Sequence, residues 1–466
     1  MKKNCTAAIV LIALFNFIFL GTEYMFDNMM AYVTDSKGVV LAQNYVLGIS
    51  VVGFLLFPVV NRLANENTKR IMTLVSTISS VVCIFVIQQH ESYGVIMGFG
   101  LLLFILLGMT GSQVHFIASR VIGNGRHLAK MMGIAYAMGI LFQFINNNCY
   151  KSDMVQSIVL SISLMCCFFL TAKLNEDITF QKDECRMENT GKIGKLILKN
   201  PIVAGSALAI SVVLMTCIFS TLDNAVTLVH ATGSVDIGQW PRLLLALSGL
   251  IAGVLYDLKG RRYMNIMMYC VTLLSTICVV ILQMGGPFLA GLVVFYLSAG
   301  FFVVFFTVGF MDLSYYMKVP ELWAGFGRAT NNICAVITGN MSVILLSREN
   351  GMAIIITALV LFALISVSTF VYSNQFVNEK FETDIKNMAG DDEKFEAFSE
   401  AFLLTDREQE VLKILLISDE NVQDIAGELA ISRAALYRHI GNLNEKTKTK
   451  SRIGLIQFYY GWRSVK

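Results

Sequence analysis

Long apolar runs recur across the first three-quarters of this chain, and nothing else restricts its fold as strongly. A membrane span needs about 20 mostly apolar residues, and by that rule about twelve spans fit. They fall near residues 6–30, 41–61, 71–89, 94–119, 130–149, 154–173, 201–222, 240–258, 264–284, 287–311, 323–346 and 351–374. Composition agrees: 55% of the 466 residues are hydrophobic and 15% are charged, where a soluble chain carries about a quarter charged. The opening "MKKNCTAAIVLIALFNFIFLGTEYMF" has the look of a signal peptide. No A-x-A-like cleavage site follows it and similar segments recur, so it reads as the first transmembrane helix. The ten cysteines show neither a CxxC pair nor Cys/His metal spacing, which argues against a disulfide framework or a zinc site.

Lysine and arginine set the expected orientation. Alternate loops hold Arg62, Lys69 and Arg70; Arg120 and Arg126; Lys182, Arg186, Lys192, Lys195 and Lys199; and Lys259, Arg261 and Arg262. The opposite loops hold little beyond Lys37, Lys151, Arg242 and Arg348. The first set therefore reads as cytoplasmic, and an even number of spans puts both termini there too. The expected location is the inner (cytoplasmic) membrane, crossed many times.

The two halves of this region repeat. Asp27-Asn28 recurs as Asp223-Asn224, "NRLANENTKR" (61–70) aligns with "GVLYDLKGRR" (253–262), and "HLAKMMG" (127–133) with "ELWAGFG" (321–327). Consistent offsets of about two hundred residues argue for a duplicated six-helix unit, which typically encloses a cavity at the repeat interface. "GVLYDLKGRR" resembles the loop signature of the major facilitator superfamily, through Gly253, Asp257, Gly260, Arg261 and Arg262. In the first copy only Lys69 and Arg70 remain, with Asn61, Asn65 and Thr68 in place of Gly, Asp and Gly. The resemblance covers about residues 5–375 and implies a twelve-helix transporter-like bundle, with this loop controlling movement between its two open states.

After Ser373 the pattern changes. Residues 376–400 are polar and acidic, eight acids against three lysines, and read as a cytoplasmic linker. Residues 401–466 read as a separate domain. Its first helix opens with a capping box, Thr405 to Glu408, and has an apolar face of Leu404, Val411, Leu412 and Leu415. A second helix from Asn421 buries Ile425, Ala426 and Leu429. After a tight turn at Ala430-Ile431, Ser432 caps a third, with Leu436, Ile440 and Leu443 on its inner side at helical spacing. A fourth begins near Ser451. Two helices around a short turn, the second carrying exposed base, is helix-turn-helix geometry. From 431 onward Arg433, Arg438, Lys446, Lys448, Lys450, Arg452, Arg463 and Lys466 face the single acid Glu445, the footprint expected for a phosphate backbone. The other reading of this stretch is an amphipathic basic helix resting on anionic lipid.

This domain resembles the LuxR/NarL regulators through Leu404, Thr405, Arg407, Glu408, Glu410, Val411, Leu412, Ile425, Ala426, Leu429, Ile431, Ser432, His439, Lys446, Ser451 and Arg452. The family's Thr-Val-Lys in the third helix reads Ala435-Leu436-Tyr437. The resemblance implies binding of double-stranded DNA by a homodimer paired through the fourth helix, with Ile453, Ile456 and Tyr460 as contacts. The expected DNA-facing residues are Ser432, Arg433, Ala434, Tyr437, Arg438, His439, Lys446, Lys448, Lys450 and Arg452.

Polar groups inside the membrane are costly and mark sites by default. Glu23, Asp27, His115, Gln143, Asn147, Asp223 and Asp312 are the expected ligand or proton residues, against the alternatives of helix-end capping and interhelical hydrogen bonding. Arg328, Asn331 and Asn332 read as a cytoplasmic helix start. No phosphate loop, triad or metal set is present in the sequence, so neither enzyme activity nor a cofactor is expected. The whole is an all-α chain: a twelve-span bundle of two six-helix repeats (about 1–174 and 196–375) plus a four-helix DNA-binding domain. It reads as a membrane-bound regulator responding to a small molecule, with a secondary transporter bearing a regulatory appendage as the alternative.

Overall fold

The computed structural model describes residues 2–123, 127–184, 196–198, 200–231, 240–258, 261, 263–285, 287–347, 351–378, 394–417, 422–429 and 431–462. The chain divides into two compact units, residues 1–377 and 378–466.

The first unit is helical. Its first half comprises α1 (Lys2–Ala31), α2 (Ser36–Leu63), α3 (Glu66–Gln88), α4 (Tyr93–Ile122), α5 (Leu128–Cys149) and α6 (Asp153–Glu184). Its second comprises α7 (Pro201–Ala231), α8 (Trp240–Tyr256), α9 (Met264–Gln283), α10 (Phe288–Ser314), α11 (Pro320–Ser347) and α12 (Gly351–Ser373). Strands β1 (Leu196–Leu198) and β2 (Phe376–Asn378) form a small pair. Polar residues mark where helices start: the Asp35 carboxylate accepts from the Gly38 amide, the Asn65 side chain from Thr68 and the Ser92 hydroxyl from Val95, as N-caps do.

Among the described residues, ten of the helices are long and apolar enough to cross a membrane. The other two expected spans, α8 and α11, do not meet that standard over the described residues. The described part of α8 has 17 residues. Helix α11 carries Glu321, Arg328, Asn331 and Asn332, polar groups that the second half turns to use.

Packing repeats between the halves. In the first, α1 packs on α4, α5 and α6, α2 on α4, and α3 on α4 and α6. In the second, α7 packs on α10, α11 and α12, α8 on α10, and α9 on α10 and α12. Each contact is reproduced six helices later. The halves meet chiefly where α5 packs on α8 and α2 on α11. With no water to expel inside a bilayer, such crossings rely on small residues that let backbones approach. A Cβ added to Gly133 of α5 would lie 2.5 Å from the Gly249 carbonyl oxygen and 2.8 Å from the Gly253 Cα of α8. Gly253, the first residue of the loop signature, therefore acts as a crossing point.

The second unit holds α13 (residues 394–401), α14 (Asp406–Ile417), α15 (Val422–Glu428), α16 (Arg433–Thr447) and α17 (Arg452–Gly461). The capping box forms: the Thr405 amide donates to Glu408 Oε2 at 2.9 Å, and the Glu408 amide to Thr405 Oγ1 at 3.4 Å. All ten apolar residues expected on the inner faces of the first three helices are buried in one core. Asn421 and Ala430 lie outside the described residues.

The acidic linker ends sooner than its composition implies. Residues 394–401 are helical, and Phe395 and Phe398 enter the same core. Phe398 is fully buried, ringed by Phe402, Phe458, Tyr459 and Trp462 at centroid distances of 4.6–6.2 Å. The acids of this stretch masked two phenylalanines at helical spacing. Truncating such a side chain costs about 3–5 kcal/mol. Phe398→Ala in a 394–466 fragment should lose that much in urea unfolding, and a 403–466 fragment should be destabilised at least as far.

Candidate ligand cavity and nucleic-acid interface

A cavity with about 1090 Å3 of empty space, partly open, lies between the halves of the first unit. Helix α1 supplies Phe19, Glu23, Tyr24 and Asp27, and α2 supplies Gln43 and Asn44. From the other half come Thr216 and Phe219 of α7, Arg242 of α8, Phe295, Tyr296 and Phe302 of α10, and Arg328, Asn331 and Asn332 of α11. Glu23 and Asp27 lie one helical turn apart, so both face the same way. Gln43 donates to Glu23 Oε1 at 2.7 Å. Arg328 is 6% exposed, donates to Asn16 Oδ1 at 3.2 Å, and lies over the rings of Phe19 and Phe306. Asn332 donates to Ser50 at 2.8 Å, tying α11 to α2, and Thr216 donates to Asn331 at 3.2 Å.

Two of the expected ligand residues, Glu23 and Asp27, thus line the cavity. His115, Gln143, Asn147 and Asp312 are not among its lining residues. His115 Nδ1 sits 2.7 Å from the Gly111 carbonyl of its own helix, and the ring stands edge-on to Phe15. Gln143 donates to the Leu20 carbonyl at 2.8 Å, an α5–α1 tie. Asn147 is half-buried near the end of α5, away from the cavity lining, with no hydrogen-bond partner for its side chain among the described residues. Asp223 falls in α7, but its side chain is outside the description. The reading of Arg328, Asn331 and Asn332 as a helix start is corrected: α11 begins at Pro320, and these residues reach the cavity about two to three turns in. Arg242, counted above as a loop charge, also lines it. The signal for these was present as polar residues inside an apolar run.

Asp312 belongs to a different cluster. Arg261 Nε lies 2.7 Å from its Oδ2, and Arg261 Nη1 lies 3.5 Å from Asp257 Oδ1. Asp257 accepts the backbone amides of Ala129 and Lys130, at 3.2 and 2.7 Å, at the start of α5. Carboxylates favour helix N-termini because the first amides there lack partners. The loop signature of the second half thus caps a helix of the first. Gly260 and Arg262 lie outside the described residues. In the first half, Asn65 caps its own α3 through Thr68, while Arg62 donates to the Lys318 carbonyl and Glu321 at 2.9 and 3.1 Å.

In the second unit, α15 and α16 pack together, and the Ile431 amide donates to the Ala426 carbonyl at 2.9 Å to close the turn between them. Ser432 caps α16 by accepting from the Ala435 amide at 3.2 Å. Ser432, Arg433, Ala434, Tyr437 and Arg438 form one exposed face, with Tyr437 61% exposed. Arg433 donates to Gln423 of α15. Lys448 and Lys450 are exposed beyond the helix end, Lys448 in the left-handed conformation with φ 56°. Arg452 and His439 are half-buried. Lys446 departs from the expected DNA-facing set: its ammonium donates to Glu408 Oε2 at 2.6 Å and to the Leu403 carbonyl at 2.7 Å. It ties α16 to α14.

Residues 403–459 match the family model of bacterial regulatory proteins of the luxR family. The chain therefore carries a LuxR-type helix-turn-helix domain across α14, α15, α16 and most of α17. No curated protein sequence matches the chain. Among solved structures, the human organic anion transporter MFSD10 (TETRAN) matches with a TM-score of 0.53 at 12% identity, covering 80% of this chain and 99% of that one. At that identity the likeness shows the fold alone: the helical bundle is folded like that transporter.

The Lys446–Glu408 pair gives a test. Burial alone would raise the Glu408 carboxyl, but the bonds from Lys446 and Thr405 outweigh it and hold it below 4.5. A carboxyl lowered on folding adds stability above its unfolded value that is lost as pH falls through its folded one. Glu408→Gln in the 394–466 fragment should lower the melting temperature at pH 7, and the gap to wild type should close as pH falls below 4.5.

Proposed function

We propose that this chain is a membrane-bound one-component transcriptional regulator, in which the helical bundle senses a small molecule and controls DNA binding by the LuxR-type domain. The observation that carries this reading is the presence, in one polypeptide, of a LuxR-type domain with an exposed basic recognition face and a transporter-like fold enclosing a polar cavity. A DNA-binding domain has work to do only beside DNA. The excess of Lys and Arg in alternate loops supports cytoplasmic termini for a bundle in the inner membrane.

The recognition face is α16. Its Arg433 and Arg438 meet phosphate or base edges, and Tyr437 offers an aromatic plane where the family has lysine. Lys448, Lys450 and Arg452 extend the basic surface toward α17. Homodimer pairing uses α17, where Ile453 and Tyr460 are 68% and 58% exposed. A ligand moves the equilibrium only through a difference in its affinity for the two states, and the cavity between the halves changes shape whenever the halves move.

A second reading, a secondary transporter with a regulatory appendage, draws support from the Asp257 cap on α5, which keeps one copy of the transporter loop working as a latch. Proteoliposome uptake separates the two: accumulation against a gradient favours the transporter.

The 394–466 fragment should bind duplex DNA with an affinity that falls steeply with salt. Arg433→Ala and Arg438→Ala should each weaken it, reducing the slope of log K against log salt by about 1. Affinity and slope unchanged in both variants would remove α16 as the recognition helix.

A further inference from the structure

Helices α5 and α6 both pack on α1 but scarcely touch each other. A crevice with about 580 Å3 of empty space opens between them, with Leu14 and Phe17 of α1 as its floor. It shares no lining residue with the central cavity. Its walls are mostly apolar, and among the described residues none that lines it is charged. The surface around it is apolar too: Ile145, Ile158 and Ile162 are 47%, 40% and 58% exposed, as on helices that face lipid. The crevice therefore opens to the bilayer, beside the end of α5, where Tyr150 sits at the level tyrosines favour in membranes. One group is out of place in such a wall. Asn146 lines the crevice at 2% exposure, and its Oδ1 is buried with no hydrogen-bond partner among the described residues. On the same face of α5, Gln143 Oε1 and both side-chain polar atoms of Asn147 are in the same condition. A buried amide oxygen without a partner is costly, and inside a bilayer no bulk water arrives to meet it.

We propose that this crevice binds a membrane-dissolved, single-chain amphiphile with a neutral hydroxyl head. The hydroxyl donates to Asn146 Oδ1, and the chain lies along Leu14, Phe17 and Val159. The lining selects this class by exclusion. A charged head would be desolvated with no counter-charge beside it. A plain alkane would fill the space and leave the Asn146 oxygen unmet. The volume falls within the range of about 300–1,000 Å3 usual for small-molecule sites. Two sources share this chemistry: an alcohol that diffuses in from outside, and a resident lipid with a free glycerol hydroxyl. The site belongs to the first half alone, so it stands whether the bundle senses or transports.

The test uses the purified full chain in lipid nanodiscs. The probes are photoreactive diazirine forms of octanol, octane and octylammonium, and the labelled peptides are read by mass spectrometry. The octanol probe should label the segments around Asn146 and Val159 saturably. Its half-saturating concentration there should be about threefold to tenfold lower than that of the octane or octylammonium probe, the range expected for one neutral hydrogen bond. In Asn146→Leu the octanol probe should fall to the level of the octane probe, with octane labelling retained. Val159→Phe narrows the crevice and should suppress all labelling there with the amide intact, and it serves if Asn146→Leu does not fold. Competition then assigns the source. Displacement by 1-octanol alone indicates a freely diffusing alcohol, and displacement by 1-monooleoylglycerol placed in the nanodisc indicates a resident lipid. The proposal is overturned if labelling is displaced by neither, if octane or octylammonium labels as tightly as octanol, or if the octanol preference survives Asn146→Leu. Labelling unchanged in Val159→Phe overturns it as well.

Discussion

Asp257 reaches from the end of α8 to the first amides of α5, and the two halves of the helical bundle are joined through that contact. The amides at a helix start have no partners within the helix and carry partial positive charge. A carboxylate supplied from the opposite half satisfies them and fastens the halves together. The same carboxylate meets Arg261, which turns to Asp312 of α10, so α5, α8 and α10 share one charge cluster. Nearby chain adds further ties: the Tyr315 hydroxyl donates to the Ser119 carbonyl, Arg120 lies 5.7 Å from the Tyr315 ring centre, and Arg62 holds Glu321 and the Lys318 carbonyl. With these residues committed to joining the halves, the cavity forms farther along α1, at Glu23 and Asp27.

The two copies of the loop do unlike work. In the second, an aspartate leaves its own half to cap a helix of the other. In the first, asparagine stands at the matching position and caps its own helix, leaving Arg62 to make the cross-half contact through an exposed ion pair. A surface pair of this kind contributes about 0–1 kcal/mol, so the two latches differ in strength. A transporter needs both states to be reached in every cycle. A switch needs one equilibrium that a ligand can bias, and a single strong latch suffices for that. Moving such an equilibrium from 1:99 to 99:1 takes about 5.5 kcal/mol of differential affinity.

Much of this was legible from residue pattern. The apolar runs fixed the helices, and the constant offset between halves anticipated the repeated packing. The capping box and the helical spacing of Leu436, Ile440 and Leu443 located the second core, since both depend on local geometry alone. The ligand residues were harder. Glu23 and Asp27 stood out because acids in a span need a reason. His115 and Gln143 stood out equally, yet each turns to a backbone carbonyl, of Gly111 and of Leu20, which sequence does not reveal. Arg328 was misread because an arginine near the start of an apolar run looks the same whether it faces water or a cavity. The ion pairs of Asp312 and Lys446 were hidden for one shared reason: each partner, Arg261 and Glu408, is remote in sequence and becomes visible only when helices pack. The aromatic helix 394–401 was hidden by the acids around it.

That helix changes how the two functions connect. On the proposed reading, whatever the bundle does must pass along the chain that leaves α12, and that chain enters the DNA-binding unit as α13. Helix α13 is not a slack attachment. Phe398 sits fully buried against Phe458, Tyr459 and Trp462, and Lys394 donates to the Tyr460 carbonyl at 3.2 Å and lies over the Tyr459 ring. All of these partners belong to α17 or the residue that ends it. A packed aromatic cluster transmits displacement because its interior is dense and has few alternative arrangements. A pull or twist on the tether therefore arrives at α17, the helix assigned to pairing, before it reaches α16, the helix assigned to reading DNA. The membrane domain would then govern whether two domains pair, leaving each recognition helix intact, and a pair of half-sites on DNA would convert that change in pairing into a change in occupancy.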